Sequence, residues 1–271
     1  MTDTVATCSS SSVTSTTLPT TTATIEAFES LNKWKNGATS LQIPPRMVYQ
    51  HNRSKAASKG FPSVLEVGQS RGLTDHEVAA LYGWTTGDYR MVNPIARGLE
   101  IVEFEDYPLL PQDLSKVTFT LTKEDVLPYI QILKAALSKL PSDGQRVWRG
   151  HKRPLPRNVG STFVLEGFAS ATLDRDNALE FCTQVAADGS NQNQRTLICM
   201  LSSQSGKSIS KFSARPEEME VIFLPDTKFE VVDAPTSSEN DQKAVKHALE
   251  GLREKLPEAT IHLLYVKEVE A

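Results

Sequence analysis

Three glutamates crowd one short stretch, "SARPEEMEVIFLP", Ser213 to Pro225. Glu is disfavoured in strands, yet "EMEVIFLP" otherwise has the apolar, β-branched look of one. Side chains two apart share a strand face. That spacing predicts a strand beginning near Glu218, with Glu218, Glu220 and Ile222 on one face and Met219, Val221 and Phe223 on the other. Two neighbouring carboxylates cost little in water. In a cleft they raise one another's pKa, as groups arranged for acid–base or electrostatic work do. A solvated acidic turn is the plainer alternative. Earlier in the chain, "VWRG" sets Arg149 on a short strand before Gly150. The planar guanidinium fork suits bidentate pairing with phosphate, and a glycine lets a ligand approach the backbone closely. A surface arginine on an edge strand is the plainer reading of Arg149 taken alone. "GFASAT", Gly167 to Thr172, places the hydroxyls of Ser170 and Thr172 at alternate positions on one strand face, where they can organise a polar pocket. Ordinary strand-end Ser and Thr would look the same.

General catalytic signatures are missing. The sequence has no G-x-S-x-G, no Walker loop and no G-x-G-x-x-G. The five histidines are scattered and no Cys/His cluster has zinc spacing, so no metal is expected. The three cysteines, Cys8, Cys182 and Cys199, do not make a disulfide framework and fit a reducing compartment. A formal net charge of -4 gives no global argument for nucleic acid or anionic membrane. No run approaches the ~18 apolar residues of a membrane span, and no basic region followed by an apolar core marks a secretory signal peptide. The expectation is a protein that acts in the cytosol or is delivered without a classical signal. "HKRPLPR", His151 to Arg157, offers Lys152, Arg153 and Arg157 either as a solvated loop or as a phosphate-facing one.

The elements that must position these groups follow from periodicity. Residues 1–23 are Ser/Thr-rich with almost nothing apolar to bury, and read as a disordered tail. A short helical pattern lies near "TIEAFESLNKW". "LTDHEVAALYGWT" opens with a capping box, Thr74 and Glu77, before Val78, Leu81 and Tyr82 at helical spacing. "EDVLPYIQILKAALSKLP" carries the stripe Val126, Ile130, Leu133, Leu137 and Leu140, ended by Pro141. Pro128 fits best within a first turn, so this helix is expected to start near Asp125. After Gly144 the texture changes to short strands: "RVWRG", "STFVLEGFASAT", "RTLICMLS", "SISKFS", "EMEVIFLP", "KFEVVD" and "TIHLLYVKEV". "DRDNALEFC" and "ENDQKAVKHALEGLREKLP" are helices among them. Helices first and strands later indicate an α+β fold. Residues 24–271 are expected to form a single domain, with a helical part over 24–143 and a β-rich core over 144–271.

Taken together, the order of arginine, serine motif and Glu-x-Glu resembles the mono-ADP-ribosyltransferases of the R-S-E class. "LTDHEVAALYGWTTGDYRMVNPIARG" is similar to that family's N-terminal helical segment, with Tyr89, Asn93, Arg97 and Gly98 at its characteristic positions. "GKSISKFSARPEEMEVIFLPDTKFEVV" is similar to its substrate-facing loop, Glu-x-Glu strand and following strand. The resemblance covers roughly residues 70–235. It implies two mixed or antiparallel sheets forming an NAD cleft beside a helical subregion. It implies NAD as co-substrate and a protein carrying an acceptor arginine as partner; a monomer is expected. Arg149 would hold the NAD diphosphate and nicotinamide ribose, and the Gly150 backbone would pair with the nicotinamide amide. Ser170 would orient the catalytic Glu220, and Glu218 would address the acceptor arginine. The family usually reads Ser-Thr-Ser where this chain has Ser170-Ala171-Thr172, so Thr172 takes the second hydroxyl's place. Phe181 falls where the family stacks an aromatic on nicotinamide, or else it packs in the core with Leu179 and Cys182. Glu217 matches no role. NAD hydrolysis by the same site and a non-catalytic binding module are the alternatives.

Overall fold

A computed structural model describes residues 61–104, 119–142, 144–184, 193–235 and 238–269. The Ser/Thr-rich tail and the helical pattern near "TIEAFESLNKW" lie outside them.

The helical part opens with α1 (Phe61–Ser70) and α2 (Asp75–Gly83). The expected capping box starts α2: Glu77 N donates to Thr74 Oγ1 at 3.3 Å, and Thr74 N donates to Glu77 Oε2 at 2.7 Å. Val78, Leu81 and Tyr82 are all buried. The chain then makes a π-helical segment, Trp84–Asp88, broken by Gly87 at φ 126°, before α3 (Tyr89–Ala96). Such segments are uncommon and often sit at functional sites; this one turns the Trp84 side chain inward.

A two-stranded antiparallel sheet, β1 (Ile101–Phe104) with β2 (Phe119–Thr122), sits within the part read from sequence as helical. β2 runs directly into α4 (Lys123–Lys139). This helix starts two residues ahead of the sequence expectation. Thr122 caps it, with Asp125 completing a second capping box, so helical geometry is set before Pro128 is reached. Pro128 therefore lies past the first turn and leaves one helical N–H unmade, which the nucleated helix tolerates. The predicted stripe of α4 is buried against α2, together with Phe168 and Ile222 from the strand region.

Eight further strands form one sheet: β3 (Val147–His151), β4 (Thr162–Leu165), β5 (Ala169–Thr172), β6 (Gln194–Met200), β7 (Lys207–Ser208), β8 (Glu220–Phe223), β9 (Thr227–Val231) and β10 (Thr260–Val269). Their order is β4-β9-β10-β6-β3-β5-β8-β7. Neighbours are antiparallel except β10 and β6, which are parallel. Helix α5 (Arg175–Thr183) follows β5, and α6 (Glu239–Arg253) leads into β10.

The junction of β3 and β5 decides the shape. Trp148 with Thr172 is the single registered pair between them among the described residues. Beyond it the strands part. The sheet curls there into two halves, β4-β9-β10-β6-β3 and β5-β8-β7, which face one another across a shared core. Val221, Phe223, Ala169 and Ala171 from one half pack with Phe163, Phe229, Ile198 and Val266 from the other. Phe223 meets Phe229 edge-on, with ring centroids 5.5 Å apart. The outer face of the larger half carries Trp148, Leu197, Cys199 and Tyr265 under α5 and α6. The two sheets expected from sequence are thus one strand ribbon folded at a single pair, and the expected cleft would open beside that pair.

Candidate active site

Three elements meet at the opening. β5 is placed by a turn at Gly167, whose φ of +67° breaks "STFVLEGFASAT" into two strands. α3 grips that turn: Phe168 N donates to Asn93 Oδ1 at 2.8 Å, and Arg97 Nε donates to the Glu166 carbonyl at 3.2 Å. A Cβ on residue 167 would stand 2.9 Å from Asn93 Oδ1. Asn93 and Arg97 therefore fix where Ser170 begins.

From β3, Arg149 reaches across the gap and donates through Nη1 to the Ser170 carbonyl. Its Nε is buried and has no hydrogen-bond partner within the protein, which suits an anionic ligand. Burial, with Arg97 nearby, lowers the Arg149 pKa to about 10, so the guanidinium stays charged at neutral pH. The His151 pKa is likewise lowered, to about 4, by burial and by Arg149 and Arg153. It is a neutral neighbour beside a cationic wall.

Ser170 Oγ donates to Glu220 Oε1 at 2.5 Å. Trp84 Nε1 donates to the same oxygen at 2.9 Å. One carboxylate oxygen is thus held by two donors, one from the strands and one from the helical part, leaving the other oxygen to act. Glu220 is 9% exposed and Trp84 is 1% exposed, so the carboxylate and its indole donor are both buried. Burial pushes the Glu220 pKa up and the charge of Glu218 adds to the rise. The two hydrogen bonds and Arg149 pull it back.

The strand begins later than its alternation suggests. Pro216–Glu218 form a 3₁₀ turn, Met219 is left-handed at φ 45°, and β8 starts at Glu220. A proline at the head of the turn and the reversal at Met219 cut the period-two pattern, so Glu218 and Glu220 do not share a strand face. Glu218 instead projects from the turn, with its side chain 45% exposed and 3.1 Å from Arg215 Nη1. Met219, placed from sequence on the core face, is partly exposed, whereas Val221 and Phe223 are buried as expected. Glu217 is exposed, and its carbonyl accepts from Asn177 Nδ2 at 3.2 Å.

Three other candidates take tasks within the protein. Thr172 Oγ1 donates to the Glu218 carbonyl at 2.7 Å, fixing the turn. Gly150 faces α5: a Cβ there would stand 2.5 Å from the Ala178 carbonyl oxygen. The glycine lets a helix, not a ligand, come close on that side, while the strand edge toward β5 lies at the opening. Phe181 is 54% exposed, so it is not core; Leu179 and Cys182 are buried beside it. Lys152 Nζ lies 5.5 Å from the Phe181 ring centroid, at the rim. Of the basic loop, Arg153 and Arg157 are exposed, and Arg157 Nη1 lies 3.0 Å from His262 Nδ1.

Trp84 is the residue that sequence reasoning missed. Its signal was a tryptophan between Gly83 and Gly87, where a helix buried from Glu77 to Gly83 stops without a basic C-terminal turn.

Comparison with known proteins fits this geometry. Residues 120–251 match the family model described as NAD:arginine ADP-ribosyltransferase. The matched region runs from β2 into α6 and takes in Arg149, Ser170, Glu218 and Glu220. A curated relative, the NAD(+)--protein-arginine ADP-ribosyltransferase Tre1 of Serratia proteamaculans, is 26% identical over 202 residues, which are 70% of this chain and 37% of Tre1. The chain thus spans little more than a third of that relative's length. Among solved structures, the Vis toxin of Vibrio splendidus superimposes with a TM-score of 0.50 at 19% identity, over 86% of this chain and 89% of Vis. HopU1 of Pseudomonas syringae pv. Tomato DC3000 does so with 0.51 at 19%, over 91% and 97%. The fold is that of these enzymes. Among the described residues, no helix is long and apolar enough to cross a membrane.

Proposed function

We propose that this chain is an NAD-dependent protein-arginine mono-ADP-ribosyltransferase, moving ADP-ribose from NAD to an arginine side chain and releasing nicotinamide. The observation that carries this reading is the relay from Arg149 to the Ser170 carbonyl and from the Ser170 hydroxyl to Glu220. The match to an arginine-specific family model supports it. So do the names of two relatives: Tre1 as a protein-arginine enzyme, and Vis solved with agmatine, a small guanidine.

Arg149, with its unpartnered Nε, takes the diphosphate, and the backbone of Gly150 lines the nicotinamide end. Phe181 offers a ring at the rim. Cleavage of the nicotinamide–ribose bond builds positive charge on the sugar carbon, as in glycoside hydrolysis. Glu220 stabilises that charge through the ribose 2′-hydroxyl, using the oxygen that Ser170 and Trp84 leave free. This interaction strengthens as the bond breaks, so it raises the rate rather than ground-state binding. Glu218, half-exposed on its turn, pairs with the incoming guanidinium and takes its proton. Thr172 holds the Glu218 backbone for that purpose. Residues 24–271 act as one domain in this account.

The test is nicotinamide release and labelling of arginine-containing protein in a lysate with labelled NAD. The proposal expects both activities, with a hydroxylamine-labile linkage. If nothing is turned over, and Glu220→Ala behaves as the parent does, the chain is a binding module instead.

A further inference from the structure

Trp84 and Thr85 are consecutive residues of the π-helical segment, and each reaches from the helical part to a different end of the stretch that carries the glutamates. Trp84 Nε1 donates to the Glu220 carboxylate at 2.9 Å. Thr85 Oγ1 accepts from Ala214 N at 3.0 Å. The threonine's own proton is committed inward, since Thr85 Oγ1 donates to the Tyr82 carbonyl at 2.7 Å. A hydroxyl has one proton and two lone pairs. The inward donation therefore leaves a lone pair for the Ala214 N–H.

Ala214 is the point at which the loop ahead of β8 leaves the protein. Ile209 and Phe212 before it are buried in the core of the helical part, and Ser213 is buried as well. Ala214, Arg215, Pro216 and Glu217 are all exposed. The far side of the loop is tied to the strand part. Asn177 Nδ2 of α5 donates to the Glu217 carbonyl at 3.2 Å, and Thr172 Oγ1 of β5 donates to the Glu218 carbonyl at 2.7 Å. Glu218 is thus slung between two walls. Two side chains fix its turn from the strand side, and Thr85 fixes the loop from the helical side.

We infer that Thr85 is a positioning residue for the acceptor half of the reaction: it sets where Glu218 meets the incoming guanidinium, and so how much ADP-ribose goes to arginine rather than to water. The inference rests on the transferase reading above. It divides the π-helical segment between two tasks. Trp84 serves bond cleavage by holding the Glu220 carboxylate, and Thr85 serves transfer by holding the loop. Transfer to a second reactant depends steeply on its placement. One neutral hydrogen bond shifts an equilibrium by roughly threefold to tenfold. The effect of losing the Thr85 hydroxyl is therefore a changed partition between acceptors, not a dead protein.

Thr85→Val keeps the branched shape and removes the hydroxyl, whereas Thr85→Ser keeps the hydroxyl and removes the methyl. The full chain and both variants are incubated with NAD and a titration of agmatine, with nicotinamide release and ADP-ribosyl-agmatine read in the same samples and thermal unfolding followed alongside. Thr85→Val should form roughly threefold to tenfold less ADP-ribosyl-agmatine per nicotinamide released, through a higher KM for agmatine. Its nicotinamide release without agmatine, and the pH profile of that release, should match the parent's. Thr85→Ser should restore the parent's partition. A Thr85→Val chain with the parent's partition overturns the inference and leaves the transferase reading standing. So does one in which release and transfer fall together, with or without a lower melting temperature, and so does a serine that fails to rescue. A parent that releases nicotinamide and leaves agmatine unmodified, or that releases none, overturns the transferase reading and the inference with it.

Discussion

Glu220 and Glu218 are two residues apart and live in different physical worlds. Glu220 opens a buried strand, is held at one oxygen by Ser170 and Trp84, and has its pKa raised by burial. Glu218 sits on an exposed turn, tied at its backbone by Thr172 and free at its carboxylate except for a surface pair with Arg215. A group that stabilises a transition state must be preorganised. A group that receives varied protein acceptors, as Glu218 does in the proposed reaction, must be accessible and able to adjust. The left-handed Met219 between them separates the two requirements within one short stretch.

The largest break in this contrast is Glu220→Gln. The amide oxygen can still accept from Ser170 and Trp84, so the fold should survive. Nicotinamide release should fall on the order of 10³-fold, the scale for a preorganised electrostatic group. Because burial raises the Glu220 pKa, ionised Glu220 costs stability at neutral pH. The neutral variant should therefore melt at the same temperature as the parent or higher. An activity close to the parent's would remove Glu220 from the chemistry.

Trp84→Phe keeps the ring and removes one donor. A hydrogen bond to a charged group contributes about 1.5–3 kcal/mol, so a fall of roughly tenfold to a hundredfold in turnover is expected. The pH profile carries the sharper signature. In the proposed reaction activity needs ionised Glu220 and so falls as pH drops through its pKa. The parent's acid limb should lie above the ordinary value of 4.5. Losing the Trp84 N–H destabilises the carboxylate, so the limb should move to still higher pH. A rate loss without that movement would make Trp84 a packing residue only.

Gly150→Ala probes the support behind Arg149. Its methyl would meet the Ala178 carbonyl oxygen at 2.5 Å, and relief requires α5 to shift. Thermal unfolding should show a loss of about 1–3 kcal/mol, as overpacking usually costs. An unchanged melting temperature would mean that α5 yields freely there. The smallest effect belongs to Glu217→Gln, whose carboxylate faces solvent and whose carbonyl does the holding. Turnover and stability should match the parent, with stability within about 0.5 kcal/mol.

How much of this was legible beforehand depended on the range of the interactions. The α2 capping box and the buried stripe of α4 are local patterns, and both appear where periodicity put them. Most strands from β3 to β10 were likewise readable, because alternation and turn residues are short-range signals, but "SISKFS" is a strand only at Ser208 and turns into a 3₁₀ segment over Ser210–Phe212. The arginine, serine and glutamate came from motif order, and the structure brings them together. Three features were hidden. The fold of the sheet at Trp148 and Thr172 is a matter of pairing between distant strands. The Trp84 to Glu220 bond joins residues 136 positions apart. The start of β8 was misjudged because alternation alone cannot register a left-handed residue, and Met219 is not a type that announces one.

The division of labour between the two carboxylates is tested most directly by Glu218→Gln, assayed in one reaction for nicotinamide release and for ADP-ribose transfer to agmatine. The account predicts that transfer falls by about 10²-fold or more, the usual contribution of a positioned base, while nicotinamide release into water largely persists. A variant that loses both activities together, or keeps both, would contradict it.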